Sequence, residues 1–147
     1  MTVSMRCRRV AAMWYAAAAV IPVVGILAIA LLAGVRLASS WGGLLLLLLA
    51  PPCAALMGFV FGGKPLCSPT RPWRAALRGA AVAGAAFLLF VLIVSLAAGG
   101  ENAPPLLERF GFGLLAGSVT VGWMALAVGA VTGWLLSRHA ASNALSS

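Results

Sequence analysis

Charge in this chain is confined to a few short segments. Four apolar stretches, 11–34, 41–62, 79–99 and 110–136, contain no Asp, Glu, Lys, Arg or His, and every charged residue lies between or beyond them. About 20 apolar residues in a helix cross the roughly 30 Å of a bilayer's hydrocarbon core. The pattern therefore predicts an all-α, polytopic membrane protein, a four-transmembrane-helix bundle. Spanning strands would show as alternating segments of about ten residues, and there are none. A helix also satisfies its own backbone amides where no water can. Of the 147 residues, 63% are hydrophobic and 8% charged, against about 25% charged in soluble domains. The expectation is a single membrane domain over 1–147, with a loop at 63–78 and no separate soluble domain. Arg6, Arg8 and Arg9 precede an apolar run longer than 20 residues. That exceeds the 7–15 residues of a cleavable signal's apolar core, so the run reads as a retained first helix.

The flanks predict an orientation. Arg6, Arg8, Arg9, Lys64, Arg71, Arg74, Arg78 and Arg138 fall on one side of the four spans. Arg36 and Arg109 fall on the other, together with both acids, Glu101 and Glu108. The positive-inside rule then puts both termini and the 63–78 loop in the cytoplasm. Of the ten cations nine are Arg, in a chain rich in Ala and Gly. That bias matches a GC-rich bacterial genome, and so a bacterial inner membrane, better than nucleic-acid binding. Trp14, Tyr15, Trp73 and Trp134 are expected at the cytoplasmic interface and Trp41 at the outer one. Thr70 and Pro72 predict a helix start before the third span, and Pro104-Pro105 one before the fourth, with Glu108 near its positive dipole end.

Inside the spans three features stand out. Pro51 and Pro52 predict a kink in the second helix that frees the carbonyls of Leu47 and Leu48. Pro22 marks a second kink site, in the first helix. Trp123, mid-span in the fourth helix, carries an indole N–H that needs an acceptor, so it is expected buried against that proline kink, with the second and fourth helices packed together. Small residues one turn apart, Gly58/Gly62, Gly113/Gly117 and Gly129/Gly133, predict close helix packing. Shifting the second span by 71 residues onto the fourth aligns Gly42, Gly58 and Gly62 with Gly113, Gly129 and Gly133, the pattern of a weak hairpin repeat.

Chemistry is sparse. Cys7, Cys53, Cys67 and the lone His139 do not form a metal-ligand set, and no disulfide is expected on a cytoplasmic side. Two acids in one loop offer no defined catalytic pair, so neither an enzyme nor a cofactor is expected. Arg71, Arg74 and Arg78 share a helix face, which with Lys64 would meet anionic lipid headgroups, at about 1 kcal/mol per cation, and orient the chain. The expected partners are the bilayer and another membrane protein or a second copy, and no nucleic acid. The favoured function is a non-enzymatic subunit acting through helix–helix contacts. The alternative is a small homo-oligomeric transporter or channel, which requires Ser95, Ser118, Thr120 and Thr132 to converge on a polar cavity.

Overall fold

The computed structural model describes residues 2–32, 48–61, 71–97, 99 and 103–144. All of its elements are helical: α1 (Thr2–Leu32), α2 (Ala50–Phe61), α3 (Pro72–Ala97), α4 (Leu106–Gly117), a π segment (Ser118–Gly122) and α5 (Trp123–Ala144). The last three run on as one rod. Among the described residues, three stretches are long and apolar enough to cross a membrane: Cys7–Gly25, Pro72–Ala97 and Leu106–His139. The described protein is thus all-helical, with three candidate spanning helices. The twelve residues of α2 rise only about 18 Å, too short to span alone, and 41–47 and Gly62 of the expected second span lie outside the described residues.

The helix starts follow local chemistry. Pro72 opens α3, where its missing N–H costs nothing, and the Arg71 carbonyl accepts from the backbone N–H of Arg74 (2.9 Å) and Ala75 (3.2 Å). Arg71 therefore stands at the N-cap; Thr70, the expected cap, lies outside the described residues. Pro105, in extended conformation, caps α4, and Glu108 lies in its first turn, as the dipole favours. Leu48 is helical, Leu49 forms a turn and the helix resumes at Ala50, so Pro51 and Pro52 occupy the first turn of α2 just after a break in the helix; the residues before Leu48 lie outside the described ones. The reason is the one that serves Pro72: the first turn is where a residue without an N–H is tolerated. Pro22 is buried inside α1, which continues through it.

The helices pair as two antiparallel hairpins. In the first, Gly58 of α2 faces Ala11 and Tyr15 of α1. In the second, α3 lies along the α4–π–α5 rod, with Gly79 against Gly129 and Gly133 at one end and Val91 against Gly113 toward the other. Gly58 and Gly129, partners in the 71-residue shift, each face the other helix of their own hairpin. A core of Ala11, Tyr15, Ala54, Val82, Ala86 and Leu136 joins them. Tyr15 is 4% exposed. It is a core residue and not an interfacial anchor, because the missing side chain of Gly58 makes room for its ring. Trp14, Trp73 and Trp134 remain exposed.

The antiparallel pairing gathers the basic ends. The Arg8 guanidinium lies 5.9 Å from the Phe59 ring, Arg74 5.4 Å from Trp73, and Arg138 4.9 Å from Trp134. Arg71, Arg74 and Arg78 are all exposed. Lys64 lies outside the described residues.

Candidate functional site

The rod meets α3 through two different surfaces. Toward the basic end, Ala75, Gly79 and Ala83 bring α3 against Gly129 and Gly133 with backbone touching backbone. A methyl group built on Gly79 would collide with the Gly129 carbonyl oxygen and sit 2.9 Å from the Gly133 Cα. One on Gly133 would run into the Ala75 carbonyl oxygen, and one on Gly129 into the Ala83 methyl. Gly129 and Gly133 therefore perform the packing expected of them, and Gly113 and Gly117 receive Val91 and Phe87. All of this packing is within the chain, so these glycines are not available to a partner. Gly62 lies outside the described residues. Gly79 is the member that the sequence reading overlooked, although Ala75, Gly79 and Ala83 recur at every fourth position.

Beyond Ala83 the contact changes. Phe87, Phe90, Val91 and Val94 of α3 replace the small residues, and the helices part around a cleft of about 420 Å³. Its walls come from α1 (Tyr15, Ala18, Pro22), α2 (Ala50, Ala54), α3 and the rod (Gly113, Gly117, Val121, Ala125). The π segment forms part of this wall. An extra residue in the turn shifts the faces of the rod on either side of it, and such segments often mark functional sites. Ser118 donates its hydroxyl to the Leu114 carbonyl and Thr120 to that of Ala116 (2.8 Å).

The far end of the cleft holds Arg109. Its Nη1 donates to the Ser95 carbonyl (3.0 Å), one of the last four carbonyls of α3, which lack helical donors. Its Nε is buried with no hydrogen-bond partner among the described residues. No ion pair to Arg109 exists among the described residues, and its neighbour Glu108 is exposed.

The four span hydroxyls do not converge on a polar cavity. Ser95 bonds to the Val91 carbonyl (2.7 Å) and Thr132 to that of Val128 (2.7 Å), each within its own helix. Ser118 and Thr120 do the same on an exposed face. Of the four, Ser95 alone borders the cleft.

Trp123 is corrected. It is 58% exposed on the outer surface, and α2 packs on α1 and α3, with no substantial packing on the rod. The proline turn and Trp123 are therefore not neighbours. α1 and α3 already cover the rod's inner face, where Gly79 admits α5 closely, and this turns Trp123 outward. A second correction concerns Cys7, which is disulfide-bonded. Compartment arguments address redox poise, whereas pairing also depends on which residues the fold brings together. Cys53 is free and buried, Cys67 lies outside the described residues, and the described residues hold no metal-ligating cluster.

Among the described residues the fold is all-helical, with three helices long and apolar enough to cross a membrane and an apolar cleft that ends at an arginine. Comparison with protein-family models, curated proteins and solved structures yields no match for the chain.

Proposed function

We propose that the protein is a non-enzymatic, multi-pass membrane protein acting through helix–helix contacts, as an accessory, assembly or scaffold subunit. The observation that carries this reading is Trp123. It stands at the middle of the 34-residue span Leu106–His139, largely exposed, with no hydrogen bond to its indole N–H among the described residues. Hydrocarbon offers no acceptor at that depth, and an unsatisfied donor there is costly. A partner helix supplies one. Phe112, Leu115 and Val119 are 75%, 73% and 78% exposed and recur with Trp123 at three- and four-residue spacing, forming one ridge of the rod. The transporter or channel alternative draws less support, because the span hydroxyls bond back to their own helices.

The test is a photo-crosslinking amino acid placed in the full chain in native membranes, at Val119 and separately at Leu92 on α3. The expected result is one reproducible protein adduct from 119 and none from 92, lost on Trp123→Phe, which keeps the ring and removes the donor. Adducts to a second copy alone favour the homo-oligomeric alternative. Adducts to lipid alone overturn the reading.

A bacterial inner membrane with both termini and the 63–78 loop on the cytoplasmic side is part of the same proposal, resting on the eight cations that flank one side. A reporter fused at the C-terminus reads that side directly.

A further inference from the structure

We propose that the cleft is a lipid site, holding one acyl chain of an anionic phospholipid with the phosphate on Arg109. The inference is independent of the contact at Trp123. Its volume, about 420 Å³, lies in the range of small-molecule pockets, roughly 300–1,000 Å³. Along α3 it runs from Val82 to Ser95, thirteen residues or about 20 Å of helical rise. Half of a 30 Å hydrocarbon core is only about 15 Å, so the cleft reaches from the interface past the midplane, as an extended chain would. It is partly open to its surroundings, which leaves room for the lipid's second chain in the bilayer.

The polar groups choose the headgroup end. Ser95 borders the cleft, but its hydroxyl is already bonded to its own helix. Arg109 is different: one guanidinium nitrogen caps α3 while the buried Nε has nothing to bond. A buried guanidinium donor left open is unfavourable. A phosphate oxygen satisfies the donor and neutralises the charge, through the charge-assisted geometry to which arginine is suited. Arg109 also lies in the first turns of α4, at the end of the molecule opposite the Arg8, Arg74 and Arg138 ring. Headgroup depth and the mouth of the chain slot therefore coincide on one side of the membrane.

The experiment is native mass spectrometry of the full chain in mild detergent, titrated with dioleoylphosphatidylglycerol. One tightly retained adduct per chain is expected. Arg109→Gln should weaken it about ten-fold, the loss of one charge-assisted hydrogen bond. Ala18→Phe and Ala125→Phe, which fill the slot from opposite walls with Arg109 intact, should abolish it, while helical circular dichroism is retained. Arg74→Gln, at the other end, should leave it unchanged, and so should Trp123→Phe, which separates this site from the protein contact. Equal retention by the wild type and by either filled variant that keeps its helicity overturns the proposal. So does an equal loss on Arg74→Gln, which would make the adduct general headgroup attraction. Displacement of the lipid by stoichiometric palmitate would assign the slot to a free fatty acid and overturn the phospholipid assignment.

Discussion

α3 meets the same rod twice, and the two halves of the contact differ in one respect, the size of the residues between the axes. At Ala75 and Gly79 the axes close until backbone touches backbone. At Phe87 to Val94 the large side chains hold the axes apart, and the π segment alters the facing surface of the rod, so a cleft remains. In a bilayer there is little hydrophobic drive between helices, and association relies on packing and hydrogen bonds. The glycine seam supplies that packing for the hairpin. The other half is thereby relieved of holding the helices together and can stay open for an occupant.

The largest expected effect breaks the seam. Gly79→Val should destabilise the fold by about 3 kcal/mol or more, because the added atoms meet rigid backbone on both sides; denaturation in bicelles measures it. Next comes Arg109→Gln, which removes the cap on the Ser95 carbonyl and should cost about 1–3 kcal/mol in the same assay without lipid. A smaller effect sharpens the contrast between the halves. A methyl on Gly117 meets only the end of the Phe87 ring, at 2.8 Å, and that ring can move into the cleft. Gly117→Ala should therefore cost about 1 kcal/mol. If its cost equals that of Gly79→Val, the two halves are equally tight and the distinction fails. Smallest is Ser118→Ala, expected within about 0.5 kcal/mol, since its hydroxyl only returns to the Leu114 carbonyl of its own helix. A larger loss would reveal a partner for that hydroxyl.

Much of the fold was legible in the chain. Chargeless stretches, Pro72 and Pro104-Pro105 located α3 and the rod, and the small-residue spacing of Gly113, Gly117, Gly129 and Gly133 marked which faces are packed. These signals are local: each depends on a residue's own backbone chemistry or on its neighbours one turn away. The misplacements concern pairs. Trp123 and Pro51-Pro52 lie at matching depths along their helices, but depth does not say which helix stands beside which. Tyr15 looked interfacial until Gly58 of another helix opened a place for it. Arg109 looked like an outer-side loop cation beside Glu108, and nothing in its own neighbourhood announced that it would cap α3 at the end of a cleft.

By itself the sequence determined that these segments are helical and apolar and where α3 and the rod begin; it led to an expectation of four spans, of which the described residues show three helices long enough to cross a bilayer. Those outcomes follow from apolar length and from prolines and charges acting within a turn. Only the tertiary structure decided that Gly79 seals one half of the hairpin and that Trp123 faces outward. It also decided that Arg109 closes a lipid-sized cleft with an unpaired donor. The physical reason is that helix partners are chosen by how closely two surfaces approach, a property that neither surface carries alone.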